Sequence, residues 1–167
     1  LAVGRPTDAP IENLLYKFGA LGRLETSRLD ESDCGLIFVN PALPLDGRLV
    51  ATLVWDLERI AVAAGFELYI TLNVEGPTTL VGVINLLFNR RDAQEQQNAQ
   101  ALADELLECI HGHGLSLYRS RVDQMQQITS EDDPYWQTIY RLKTVFDPND
   151  IIAPGRYNLS RRVGAKV

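Results

Sequence analysis

Hydrophobic residues recur along this chain with two different periods, and the changes between them predict its elements. Apolar residues three or four positions apart fill two long segments, whereas alternation or short apolar runs fill the stretches beside them. The pattern predicts strands at 34–41, 66–75, 80–88 and 115–119, and helices at 49–64 and from 92 to 110. This strand–helix–strand–strand–helix–strand order is typical of the α+β, ferredoxin-like (βαββαβ) fold, an antiparallel sheet with both helices on one face.

Capping residues predict where several helices begin and end. An additional N-terminal helix would begin after Thr7 or Asp8, either of which can accept N-cap hydrogen bonds, and would end at Gly19. Asp92 and Glu95 have the spacing of a capping box at the start of the second long helix. The buried face of that helix is expected to contain Ala99, Leu102, Leu106, Leu107 and Ile110.

Two further helices and one loop complete the prediction. Prolines and a glycine punctuate PALPLDG, residues 41–47, which is expected to be loop. Helices are predicted at 122–128 and 134–146, and the acidic cluster at 131–133 is expected to cap the second of them.

Length, charge and cysteine content limit the class of protein. The chain has 167 residues, 46% of them hydrophobic, which suits one soluble domain, and its net charge of -6 argues against nucleic acid as a partner. No apolar run approaches the roughly 20 residues that a membrane span needs, and no segment resembles a signal peptide. The chain begins at Leu1, so we expect a fragment or a processed product. Cys34 and Cys109 are expected to be reduced thiols of a cytoplasmic protein.

Candidate catalytic groups are sparse. The sequence contains no GxSxG, P-loop, GxGxxG or HExxH motif. His111 and His113 lie in a glycine-containing helix end, where we expect them to be solvated, and with Cys109 they supply too few ligands for a zinc site. A ferredoxin-like fold alone names no function, so a free-standing ligand-binding or interaction module without catalysis remains an alternative.

The stretch TVFDPNDIIAPGRYN, residues 144–158, has more prolines, aspartates and turn residues than a linker needs. It follows LYRSRVDQMQQI at 117–128, and GRPTD at 4–8, CGLIFVNPALPLDG at 34–47 and LLFNRRD at 86–92 precede both. In this order the segments resemble the C-terminal region of the vanillyl-alcohol oxidase and 4-cresol dehydrogenase family of FAD-linked oxidases. The DPN-to-PGR motif is shared loosely with hydroxy-acid flavin dehydrogenases, but its combination with a Tyr-Arg pair is more specific.

The resemblance implies that residues 1–167 are the C-terminal substrate, or cap, domain of a longer flavoenzyme. The N-terminal FAD-binding domain of the family is not represented in this chain. The family oxidises para-substituted phenols by transferring hydride from the benzylic carbon to flavin, with the phenol bound as phenolate. The implied partners are the FAD-binding domain and a small phenolic substrate, and we expect that the isolated chain can self-associate as a homodimer.

The resemblance also assigns roles to three residues. Tyr118 matches the phenolate-binding tyrosine, Arg119 matches the arginine beside the flavin ring and the reacting carbon, and Arg156 matches a basic residue near the substrate oxygen or flavin. These residue types suit the chemistry, because a free phenol has a pKa near 10 and a fixed guanidinium favours its anion. We expect Pro154 and Gly155 to form the turn that holds Arg156 in the site.

The family's cofactor is expected to bind without a covalent bond to this domain. Relatives often tether FAD through a histidine or tyrosine on the strand before LLFNRRD, and PTTLVGVIN at 77–85 contains neither. By itself the chain is expected to be inactive. A second flavoenzyme alternative is the cap of an FAD-linked 2-hydroxy-acid dehydrogenase, in which Arg119 and Arg156 would bind a carboxylate.

Overall fold

The structure, a computed structural model, describes residues 9–17 and 25–159. They form two compact units, and the chain passes from one to the other between Tyr118 and Arg119. The larger unit contains almost all of the sheet and the two long helices. The smaller unit contains two helices and the C-terminal turns.

The larger unit has the predicted succession of strands and helices. Its elements are α1 (Ala9–Lys17), a 3-10 segment (Thr26–Glu31), β1 (Cys34–Pro44), α2 (Gly47–Ala63), β2 (Leu68–Val74), β3 (Thr79–Asn89), α3 (Ala93–Gly112) and β4 (Ser116–Arg119). The antiparallel sheet has the strand order β2-β3-β1-β4. This is the ferredoxin-like order, so the predicted fold class is confirmed. The 3-10 segment was not predicted from the sequence.

Alternation along the strands separates the sheet into two faces. Val39 pairs with Ile84, and Leu43 pairs with Leu80, and these four side chains belong to the core that α2 and α3 also enter. Each fully buried side chain of this kind contributes about 1.5–3 kcal/mol. The predicted buried face of α3 is confirmed, since five predicted residues are buried: Ala99, Leu102, Leu106, Leu107 and Ile110. We call the opposite side of the sheet the second face.

Aspartates begin both long helices, as their chemistry favours. Asp46 accepts from the backbone N–H of Arg48 at 2.9 Å, so α2 begins two residues before the predicted start. Asp92 accepts from the N–H of Glu95 at 3.1 Å, which confirms the predicted cap of α3. The predicted reciprocal bond of the capping box is wrong, because the Glu95 carboxylate accepts from the N–H of Asn89 at 3.0 Å. It therefore ties α3 to the end of β3.

The predicted loop at 41–47 is wrong in its first half, because β1 continues to Pro44. Pro41 is fully buried, and beyond it Leu43 still pairs with β3. The neighbouring strand accommodates the proline ring through Gly82, where an added Cβ would lie 3.0 Å from the Pro41 Cγ atom. Pairing with β3 thus outweighs the local loop signal of the prolines.

The remaining predictions for the larger unit have separate outcomes. The first helix is present as α1, but its predicted caps Thr7, Asp8 and Gly19 lie outside the described residues. Cys34 and Cys109 are unpaired thiols. Within 9–17 and 25–159, no helix is long and apolar enough to cross a membrane.

The smaller unit contains both of the predicted C-terminal helices. A 3-10 turn (Val122–Gln124) leads into α4 (Met125–Ile128), and α5 (Pro134–Phe146) follows. Asp133 caps α5 by accepting from the N–H of Tyr135 at 2.8 Å, as the acidic cluster predicted. No residue of α5 is buried, although the helix is amphipathic.

The close packing of β1 on β3 can be tested at Gly35. A Cβ atom added there would overlap the ring of Phe88, which is buried, so Gly35→Ala should lower the free energy of unfolding by about 1–3 kcal/mol. Urea denaturation of the purified chain measures this change. Gly47→Ala is the matched control, because an added Cβ meets no atom there and alanine favours a helix. Equal unfolding midpoints for the two variants would contradict this packing.

Candidate functional site

A buried carboxylate organises the DPNDII segment at the end of α5. Asp147 is only 7% exposed. Its two oxygens accept from the backbone N–H groups of Ile151 at 3.0 Å and Ile152 at 2.8 Å, and from the ammonium group of Lys143 at 2.6 Å. The hydrogen bond from Lys143 is the main reason that the pKa of Asp147 is lowered to about 2. These bonds favour the ionised form.

Lys143 extends this set of contacts across the turn. Its ammonium group also donates to the carbonyl oxygen of Ile152 at 2.6 Å and pairs with Asp150 at 3.0 Å. The hydrogen bond to Asp147 is the largest of the effects that raise the pKa of Lys143. We call Lys143, Asp147, Asp150 and the backbone of 151–152 the Asp147 network. It joins the last turn of α5 to the segment that leads to Arg156.

The predicted Pro-Gly turn is present. The N–H of Arg156 donates to the carbonyl oxygen of Ala153 at 3.1 Å, with Pro154 and Gly155 at the two central positions. Gly155 has a φ of 70°, which is typical of the third residue of a type II turn. Proline presets the second residue and glycine removes the steric cost at the third, so the sequence fixes this turn locally.

Tyr157 connects the turn to two earlier segments of the smaller unit. Its hydroxyl oxygen accepts from the N–H of Ser120 at 2.8 Å, and its own N–H donates to the sulfur of Met125 at 3.3 Å. The guanidinium carbon of Arg156 lies 5.6 Å from the centre of the Tyr157 ring. Tyr157 also has a φ of 51°, which is uncommon for a bulky residue.

The bond between Ser120 and Tyr157 brings two predicted site residues into neighbouring segments. Arg119 precedes Ser120, and Arg156 precedes Tyr157, so the two arginines lie beside the two ends of one hydrogen bond. Arg119 is exposed and Arg156 is half-buried. Tyr118 is 60% exposed at the end of β4 in the larger unit. Convergence of all three side chains on one concave face remains a prediction.

The second face of the sheet carries a polar group that was not predicted from the sequence. Tyr69 and Phe38 both pair with Asn85, so these residues form a row across β2, β3 and β1. The amide oxygen of Asn85 is buried without a hydrogen-bond partner among the described residues, and so is that of Asn40. An asparagine within an apolar strand, as in VGVINLLF, was the available signal.

The histidine prediction needs one correction. The Nε2 atom of His113 lies 3.0 Å from a carboxylate oxygen of Asp56, and both side chains are half-buried. His113 therefore joins the end of α3 to α2 rather than being freely solvated. Over the part of the chain that the structure describes, no group of three histidine, cysteine or acidic side chains could hold a metal ion.

The Asp147 network should make the C-terminal turn sensitive to acid. The folded-state pKa is lowered from 3.8 to about 2, so the stabilisation is fully present above about pH 4 and is lost as the pH falls to about 2. Asp147→Asn should therefore lower the amide-exchange protection of Ile151 and Ile152 at pH 7, and its difference from the wild type should shrink towards pH 2. Hydrogen exchange followed by NMR measures both quantities. Asp132→Asn, at an exposed position before α5, is the control, and a difference that does not depend on pH would contradict the prediction.

Sequence comparison relates the chain to known proteins, although no family model matches it. It is 28% identical over 129 residues to 1'-carboxy-chondrochloren decarboxylase of Chondromyces crocatus, which covers 77% of this chain and 24% of that protein. It is also 28% identical over 89 residues to the flavoprotein subunit of 4-cresol dehydrogenase [hydroxylating] of Pseudomonas putida, which covers 53% of this chain and 17% of that subunit. The chain thus spans about a quarter or less of the length of these curated relatives.

Solved structures share the fold. A 4-ethylphenol oxidase from Gulosibacter chungangensis, in complex with isoeugenol, matches 82% of this chain and 27% of its own with a TM-score of 0.70 and 19% identity. The p-cresol methylhydroxylase with substrate bound matches 75% of this chain and 24% of its own with a TM-score of 0.67 and 24% identity. The resemblance inferred from the motifs is therefore confirmed: this chain is similar, over part of their length, to FAD-linked oxidases of the vanillyl-alcohol oxidase and 4-cresol dehydrogenase family.

Proposed function

We propose that this chain is the substrate domain and C-terminal segment of an FAD-dependent oxidoreductase that oxidises para-substituted phenols. In this proposal the oxidised position is the benzylic carbon, and hydride passes from it to the flavin. The names of the relatives support the substrate class, since they refer to two para-substituted phenols, 4-cresol (p-cresol) and 4-ethylphenol. The observation that carries the proposal at the level of this chain is the hydrogen bond between Ser120 and Tyr157, which joins the segments of Arg119 and Arg156.

The proposed chemistry of the site is stabilisation of a phenolate. A phenol with a pKa near 10 is mostly protonated at neutral pH, and its anion releases electron density to the benzylic position more readily. Arg119 and Arg156 would supply two permanent positive charges, and the hydroxyl of Tyr118 would donate a hydrogen bond to the phenolate oxygen. Each of these contacts favours the anion over the neutral phenol.

The residues of this chain fit one side of a flavin site. Arginines suit the electron-rich edge of a reduced flavin ring. Strand β3 has no histidine, tyrosine or cysteine, which supports a cofactor that is not covalently bound to this strand. When bound, FAD would accept the hydride. We assign Arg119 and Arg156 to its ring and to the substrate oxygen.

The partner domain in this proposal would bind the rest of the cofactor. The sequence has no glycine-rich phosphate loop for the pyrophosphate of FAD. An apolar surface in the smaller unit supports such a partner: α5 and the segment after it expose Leu142, Val145, Phe146, Ile151 and Ile152. Clusters of exposed apolar side chains mark surfaces that are covered in an assembly. The FAD-binding domain of the same polypeptide is the proposed occupant, and self-association of the isolated chain would cover the same surface.

Carboxylate substrates are a second candidate class. A pair of arginines binds a carboxylate as well as it binds a phenolate. One relative is named as a decarboxylase of a carboxylated compound. Turnover assays of the full-length protein with 4-alkylphenols, 2-hydroxy acids and carboxylated phenols would distinguish the two classes.

The role of Tyr118 can be tested in the full-length protein. Tyr118→Phe removes one charge-assisted hydrogen bond to the phenolate, so kcat on a 4-alkylphenol should fall by roughly tenfold or more, as 1.5–3 kcal/mol predicts. Steady-state kinetics under anaerobic conditions with an artificial electron acceptor measures this. Tyr16→Phe is the matched control, because Tyr16 is exposed on α1. Unchanged kinetics for Tyr118→Phe would remove this residue from the mechanism.

Cofactor binding by the isolated chain is a separate test. A site with one wall buries too little of a ligand for tight binding, so the 167-residue chain should be colourless and inactive. The measurement is an absorbance spectrum after incubation with FAD and gel filtration, followed by a titration. Stoichiometric flavin retained at micromolar affinity would contradict the assignment of the pyrophosphate site to a partner domain.

A further inference from the structure

Resting on the proposed function, we propose that Tyr157 is a positioning residue that sets the separation of Arg119 and Arg156. Its ring supports the guanidinium group of Arg156, and its hydroxyl holds the backbone next to Arg119. One rigid side chain thus contacts both of the segments that carry the two site arginines. The family resemblance implies no role for this tyrosine.

The contact with Arg156 depends on the aromatic ring. The guanidinium carbon is 5.6 Å from the ring centre, within the range in which a cation is attracted to the face of an aromatic ring. Arg156 is half-buried, so it is less fully hydrated than a surface arginine. The type II turn before it fixes the backbone from which the side chain extends.

The contact with the Arg119 segment depends on the hydroxyl. The N–H of Ser120 donates to it at 2.8 Å, and Ser120 is only 4% exposed, so water cannot readily replace this acceptor. Loss of the hydroxyl would leave a buried N–H group without its partner. The backbone after Arg119 would then shift to find another acceptor.

The backbone conformation of Tyr157 is a third, independent observation. A φ of 51° is sterically unfavourable for an aromatic residue, and such conformations persist where surrounding contacts impose them. The contacts here are the bond from its N–H to Met125 and the bond from Ser120 to its hydroxyl. The strained residue lies directly after Arg156. A fixed backbone at this point would hold the Arg156 side chain in one direction for binding.

Electrostatic repulsion between the two arginines explains why a positioning residue would be useful. Two guanidinium groups placed around one bound phenol and flavin repel each other before substrate binds. A ring that attracts one cation, together with a hydroxyl that holds the backbone beside the other, keeps the pair near its binding geometry. Less of the free energy of substrate binding is then needed to bring the two guanidinium groups together.

The test uses Tyr157→Phe in the full-length protein, which keeps the ring and removes only the hydroxyl. We expect kcat/KM on a 4-alkylphenol to fall about tenfold at pH 7, on the scale of one lost hydrogen bond. The loss should shrink as the pH approaches 10, because the phenol then ionises without help from the protein. It should also shrink at pH 7 for a fluorinated phenol of lower pKa. Tyr157→Leu, which removes the ring as well, should cause the larger loss.

Comparing two phenols on the same preparation keeps the test valid if the variant is partly unfolded, since the folded fraction cancels in the ratio. Tyr16→Phe should show neither effect. A loss that is equal at every pH and for both phenols, or no loss, would overturn the positioning role. If Arg119→Lys and Arg156→Lys lower kcat/KM but Tyr157→Phe does not, only this inference fails. If the arginine variants also have wild-type activity, the proposed site itself fails and Tyr157 has no role in it.

Discussion

The antiparallel pairing of β1 with β3 is the constraint on which the larger unit depends. Both strands are eleven residues long, and their register determines the face on which every side chain lies. A slip of β1 by one residue would move Val39 out of the core and bring Phe38 into it. Burial of the apolar side chains by α2 and α3 thus determines which residues lie on the opposite face.

The smaller unit has a different basis for its structure. None of the residues of α5 is buried, so apolar packing of this helix contributes little to holding the C-terminal turns. The Asp147 network replaces it with charge-assisted hydrogen bonds, and Asp147 satisfies two backbone N–H groups that the turn would otherwise leave without acceptors. The DPND motif therefore has a structural role that does not depend on catalysis. The segment that this motif holds in place continues into the Pro-Gly turn that carries Arg156.

Local signals predicted much of this molecule, and contacts distant in sequence account for most of what was missed. Periodicity predicted the order of the elements and the buried face of α3, and proline followed by glycine predicted the turn before Arg156. The extension of β1 through Pro41 depends on Gly82 in another strand, and Glu95 bonds to Asn89 rather than completing a capping box. Neither the strand extension nor the hydrogen-bond partner of Glu95 can be predicted from the adjacent sequence.

The candidate site was likewise only partly predictable from local sequence. The resemblance gave roles to residues, but it contained no information on what holds them in position. The bond between Ser120 and Tyr157 spans 37 residues of sequence, and no local pattern indicates it. The partners of Asn85 across the sheet became clear only when the register of three strands was known.

The three proposed site residues are connected by links of very different strength. Tyr118 and Arg119 are consecutive, so their Cα atoms stay about 3.8 Å apart whatever the two units do. Arg156 lies 37 residues further along the chain, and the hydrogen bond from Ser120 to Tyr157 joins its segment to that of Arg119. That bond is worth about 1 kcal/mol, far less than a covalent link. Substitutions remote from the substrate would therefore affect binding through the geometry of the arginine pair rather than through that of the Tyr-Arg pair.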